Sequence, residues 1–150
     1  LTREAVEGMP SFLRKVDRQA FFVSSSSWEL FDLLNGFCDA QKMPKGPFLL
    51  SDHRVTTLRR NHGDKKRRIL DILEGYPKSS FILVGDDSQA DPRIYRKVAD
   101  EYPDRIDAVF IRAVKGLPSK AAAILDGLSV PWFVESDPQK FLSTYRSLKK

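Results

Sequence analysis

"FILVGDDSQADPRIYRKVADEYPDRIDAVFIR", residues 81–112, holds two apolar runs with a helical pattern between them. "FILV" and "AVFI" are continuous rather than alternating, as in strands buried on both faces. "DPRIYRKVADEYP" reads as a helix, with Asp91 as N-cap and Pro92 at the first helical position. Strand, helix and strand in this order form the unit of a parallel sheet. Three carboxylates, Asp86, Asp87 and Asp91, fall within "GDDSQADP", directly after the first run. That crowding of charge at a strand end needs a reason.

The same alternation extends in both directions. Strand-like runs recur at "AFFVSS" (20–25), "PFLLSD" (47–52) and "PWFVES" (131–136). Between them, "GMPSFLRKVDR" sets Met9, Phe12, Leu13 and Val16 on one helical face. "SWELFDLLNGFCDAQ" places Leu30, Phe31, Leu34 and Phe37 at helical spacing. "DKKRRILDILEGYP" does so with Ile69, Leu70, Ile72 and Leu73, and stops at Gly75 and Pro77. "SKAAAILDGL" reads as a shorter helix, and "DPQKFLSTYRSLKK" repeats the Asp-Pro start at Asp137 and Pro138. "SSSS" (24–27) reads as a turn joining strand to helix. The chain shows no internal repeat and no domain boundary. The expectation is one α/β domain over residues 1–150.

Composition bounds the function. The chain has 150 residues, 41% hydrophobic and 30% charged, which suits a globular domain with a real core. Its longest aliphatic runs are about five residues, far short of the ~20 that span a membrane. Cys38 is alone, which excludes an internal disulfide and fits a reducing compartment. The expected location is cytoplasmic, with room for peripheral contact at membranes. The net charge of +5 favours anionic partners, although a solvated basic surface explains it equally well.

In open parallel sheets, ligands sit outside the carboxyl ends of the strands. Ser24 ends one predicted strand just before a helix, where hydroxyls and free N–H groups suit an anion. Capping by Ser26 or Ser27 is the plainer reading for one of those serines. Lys65, within "HGDKKRR", stands at a predicted helix start, against the usual preference for acids there; a nearby anion would favour it. For Lys66, Arg67 and Arg68 a solvated basic face is the simpler account. Asp86 closes a predicted strand and Asp91 follows five residues on. Two converging carboxylates repel unless a cation lies between them, and Mg²⁺ commonly takes one or two carboxylates plus waters and a phosphate. Asp91 has the competing role of helix cap. Asp87 reads as either a ligand or a turn residue. His53, His62 and Cys38 lack metal-ligand spacing. Walker A, dinucleotide-binding and nucleophile-elbow patterns are absent from the sequence.

The ordered set of strand-end Ser, helix-start Lys and Gly-Asp with a second Asp resembles the haloacid dehalogenase (HAD) superfamily of phosphotransferases. More narrowly, "GMPSFLR", "FFVSSSSWELFDLL", "PKGPFLLSDHR", "KKRRILDILEGYPKSSFILVGDDSQADPRIY" and "YPDRIDAVFIRAV" resemble the phosphatidate phosphatases of the actin-patch-protein type and their bacterial relatives. Ser25 and Ser27 stand where that family usually has Asn and Pro. "DSQ" (87–89) stands where it has Ser-Gly-Glu.

The resemblance implies a Rossmann-like HAD three-layer sandwich with a mostly parallel sheet. It implies that Ser24 binds a phosphate oxygen, that Lys65 neutralises phosphate and nucleophile, and that Asp86 and Asp91 hold Mg²⁺. The implied substrate is a phosphomonoester, phosphatidate at a membrane surface, with no nucleic-acid partner. The family's first motif, an Asp-x-Asp pair supplying nucleophile and general acid/base, has no counterpart in this sequence. The expectation is therefore a chain that begins after that motif, lacks the central first strand, and is inactive alone. The alternatives are a non-catalytic module binding anionic phosphate or lipid head groups, and a receiver-like or flavodoxin-like domain.

Overall fold

A computed structural model describes residues 8–52, 62–114 and 118–149. They form two compact units, one of residues 66–137 and one of residues up to 65 together with 138–150. His53, Arg54, Arg59 and Arg60 of the basic stretch lie outside the described residues.

In the unit of residues 66–137, β3 (Phe81–Asp86), β4 (Ile106–Arg112) and β5 (Trp132–Glu135) make a parallel sheet in the order β3-β4-β5. The crossovers are α4 (Asp91–Glu101) and α5 (Pro118–Leu125), and the two helices pack on each other. Both crossovers step the same way across the sheet, so right-handed connections carry both helices to one face. The central strand is the apolar one: Ala108, Val109, Phe110 and Ile111 are fully buried. The expectation of strands buried on both faces holds for β4. In β3 only Leu83 is buried, and every residue of β5 is half-exposed, because each edges the sheet. Val98 and Ala99 of α4 and Leu125 of α5 complete this core. Arg105 closes the C-terminal end of α3 (His62–Gly75), donating to the carbonyls of Leu73 (3.0 Å), Tyr76 (2.7 Å) and Ser79 (2.8 Å).

In the other unit, β1 (Phe22–Ser27) pairs in parallel with β2 (Phe48–Ser51), and the Phe22 and Phe48 rings stack at 5.0 Å. The four serines do not form a simple turn: the strand runs on through Ser27. Its pairing is regular at Phe22 and Val23 and slips before Ser27 meets Ser51, so Ser24 opens an irregular stretch. A short 3-10 turn (Trp28–Leu30) leads into α2 (Phe31–Ala40), and Ser27 Oγ caps it by accepting the Glu29 N–H at 3.3 Å. None of the α2 side chains is buried. α1 (Met9–Lys15) packs on α6 (Gln139–Leu148) through Phe12, whose ring lies 5.5 Å from Phe141 and 6.4 Å from Tyr145. α6 starts one residue later than a cap at Asp137 would put it: Pro138 is the N-cap, and its carbonyl accepts the Phe141 N–H.

Candidate functional site

The three clustered carboxylates have three different jobs. Asp86 is the last residue of β3, as its place after "FILVG" predicts. Its Oδ1 accepts the Ser88 N–H at 2.8 Å and the Ser88 hydroxyl, which curls the turn back on the strand end. Asp87 is structural. Its Oδ1 accepts the Val114 N–H at 2.6 Å and its own N–H reaches the Arg112 carbonyl at 3.1 Å, so it ties the ends of β3 and β4 together.

Asp91 departs from the expected N-cap. The Ile94 N–H bonds to the Ala90 carbonyl at 3.0 Å, which makes Ala90 the cap and Asp91 the first helical residue. The Asp91 carboxylate turns towards the strand end, and its Oδ2 accepts the Asp86 N–H at 3.4 Å. The tertiary contact prevails over the local capping preference. It also brings Asp91 to Asp86, which capping alone would not require.

Two residues to which the sequence assigned no role of their own build this meeting point. A Cβ placed on Gly85 would sit 2.5 Å from Asp91 Oδ2, 2.8 Å from Tyr95 Cε2 and 3.0 Å from the Tyr95 hydroxyl. Only glycine lets the helix start approach the strand so closely. Tyr95 follows Asp91 by four residues, which puts both on one face of α4; that spacing was the available signal. The phenol is buried and donates to the Val84 carbonyl at 3.0 Å. Its pKa is raised well above 10.0, first by burial and then by the Asp91 and Asp86 carboxylates. Tyr95 therefore stays neutral, packed with Asp91 against Gly85 and within the field of both carboxylates.

The other predicted site residues lie in the other unit. Ser24 Oγ accepts the Ser26 N–H at 3.1 Å, a local bond that fixes the irregular end of β1. Lys65 falls in the first turn of α3, as predicted, and is half-buried. Of the neighbouring basic residues, Arg67 is exposed, as a solvated face predicts, while Lys66 and Arg68 are half-buried. Lys66 Nζ lies 2.7 Å from Glu101, holding that carboxyl below its usual range, and Arg67 lies 3.1 Å from Asp71. Cys38 is a poor nucleophile, since burial and then Asp39 raise its thiol pKa. Among the described residues, no group of three or more His, Cys, Asp and Glu could hold a metal. A cation here would have Asp86 and Asp91 as its protein ligands. Two carboxylates match the donor set Mg²⁺ commonly takes from protein, with the rest left to water and phosphate.

These features define an α/β chain with parallel sheets of Rossmann type and an acidic strand end. The chain matches the family described as "Phosphatidate phosphatase APP1, catalytic domain" over residues 1–113, and it belongs to that family. It is 31% identical over 115 residues to the phosphatidate phosphatase APP1 of Saccharomyces cerevisiae, covering 71% of this chain and 19% of the yeast protein. It is 26% identical over 121 residues to an uncharacterized protein of Schizosaccharomyces pombe, covering 76% and 20%. The chain thus spans about a fifth of the length of these two relatives. No solved structure matches it.

Proposed function

We propose that this chain is most of the catalytic domain of a HAD-type, Mg²⁺-dependent phosphatidate phosphatase. In this reading the nucleophilic Asp and the general acid lie outside these 150 residues, and the chain alone does not turn over. The observation that supports it best is that Asp91 turns its carboxylate onto the backbone N–H of Asp86, at the end of the strand that Asp86 closes. Two acidic residues share one strand end, and the close approach of Asp91 requires a glycine at 85. That arrangement suits a cation. Family membership points to a phosphorylated lipid, and the activity for which the yeast relative is named suggests phosphatidate.

The residues then divide the work. Ser24 donates its hydroxyl to a phosphate oxygen, and Lys65 places a positive charge against phosphate and nucleophile. Asp86 and Asp91 hold Mg²⁺, directly or through water. Tyr95 holds the end of β3 in place through the Val84 carbonyl. When bound, Mg²⁺ supplies charge neutralisation at a reacting phosphoryl group. Contact with the lipid is peripheral in this proposal, since no helix among the described residues is long and apolar enough to cross a membrane.

The test uses the product of the full reading frame, assayed on phosphatidate in mixed micelles while Mg²⁺ is titrated. Asp86→Asn should lower kcat by at least ~10²-fold, the scale of losing one preorganised electrostatic group, and should raise the Mg²⁺ requirement. Asp91→Asn should cost less. Full activity with Asp86→Asn, or turnover that ignores Mg²⁺, rejects the assignment. Phosphatidate binding without hydrolysis by the unaltered protein would favour the non-catalytic module.

A further inference from the structure

Arg112 ends β4 and is in register with Asp86 on one side and Glu135 on the other. Residues in register on parallel strands leave the sheet on the same face. The preceding position, Gly85, faces α4, where Asp91 and Tyr95 approach it. Side chains alternate along a strand, so Asp86 and Arg112 leave the sheet on the face opposite α4. Arg112 is half-buried, and its Nε is fully buried without a hydrogen-bond partner. Its guanidinium makes no ion pair with Asp86 or Glu135, although both acids are its strand neighbours.

A buried donor without an acceptor is costly, and folded proteins rarely keep one. Arg68 Nε is also buried without a hydrogen-bond partner, although that side chain has other interactions; three further arginines of this sheet unit show the contrast. Arg105 donates to three carbonyls, Arg96 to two carbonyls and Asp100, and Arg67 pairs with Asp71. Arg112 sits at the carboxyl end of the central strand, where ligands of parallel sheets bind. A guanidinium presents a planar fork of donors that matches two oxygens of a phosphate.

We propose that Arg112 is a phosphate-binding residue, taking two oxygens of a phosphate group beside Asp86. This rests on the phosphatase reading above and adds to it a contact that neither Ser24 nor Lys65 provides. The shared chemistry is a phosphate oxyanion, from a lipid phosphomonoester or from free phosphate.

Three measurements on the full reading-frame product test it. Binding of inorganic phosphate by calorimetry should weaken at least tenfold in Arg112→Gln and less in Arg112→Lys, which keeps the charge but loses the fork. With phosphatidate in mixed micelles, KM should rise at least tenfold in Arg112→Gln. A rise in KM with unchanged free-phosphate affinity assigns Arg112 to the lipid-borne phosphate, and weakening of both assigns it to any phosphate. The third readout is the urea midpoint of Arg112→Met. An unpartnered guanidinium predicts a midpoint unchanged or raised, whereas a structural ion pair predicts a fall. The phosphate-binding arm does not require turnover, so it separates failure of this assignment from failure of the phosphatase reading. Unchanged phosphate affinity and KM in Arg112→Gln, or a lowered midpoint in Arg112→Met with binding intact, overturns the proposal.

Discussion

A methyl group added at Gly85 would lie 2.5 Å from Asp91 Oδ2 and 2.8 Å from the Tyr95 ring. Both neighbours belong to the first turns of α4, whose inner face is buried and cannot retreat. Gly85→Ala should therefore cost about 1–3 kcal/mol, the range for overpacking, read as a lower urea midpoint. It should also push Asp91 away from the Asp86 N–H and, if the proposed Mg²⁺ site is right, weaken metal binding; a variant of normal stability would contradict the packing. Tyr95 makes a different prediction, in pH. Its pKa in the folded state is raised well above 10.0 by burial, then by Asp91 and Asp86, while an unfolded tyrosine ionises near ~10. The folded state binds the proton more tightly. Stability from this group is full below about pH 10 and is lost as pH rises through the folded value. Unfolding free energy should fall on the alkaline side of pH 10, and Tyr95→Phe should flatten that fall. The Phe variant should also lose about 1 kcal/mol at neutral pH with the Val84 bond.

At the scale of elements, Arg105 holds the end of α3 to the start of β4. Its three carbonyl partners span Leu73 to Ser79, and its guanidinium lies 5.8 Å from the Phe81 ring. Arg105→Ala should cost about 1.5–3 kcal/mol, as for charged hydrogen bonds. Arg67→Ala, which breaks an exposed ion pair, should cost under ~1 kcal/mol. Equal losses in the two denaturation curves would refute the distinction. The elements themselves were legible because β4 and the inner face of α4 are continuous apolar signals. Asp86 was legible because a strand end is a local feature. Asp91 was misplaced as a cap because capping preference is local, while its contact with Asp86 is tertiary. The serines were read as a turn because nothing local announces a slipped pairing with β2. Tyr95 went unremarked because an aromatic on a helix reads first as core, and here it is core that also feels two carboxylates.

On the scale of the whole molecule, the described strands form two parallel sheets, β1-β2 and β3-β4-β5. β1 and β3 each have one paired side, and no described strand pairs with the other. Ser24 belongs to the first of these strands and Asp86 to the second. The proposed HAD arrangement sets a further strand, ending in the Asp-x-Asp pair, between the two. One strand would then satisfy both rows of backbone groups. Hydrogen exchange can test this on the 150-residue chain and on a version lengthened upstream through that motif. Amides of β1 and β3 should both slow by at least tenfold in the longer version, equivalent to about 1.4 kcal/mol, while β4 changes least. The shorter chain should also self-associate with rising concentration, as unpaired edges do. Protection gained in β1 alone, or in β3 alone, would mean that the added strand does not lie between them, and the HAD order would have to be abandoned.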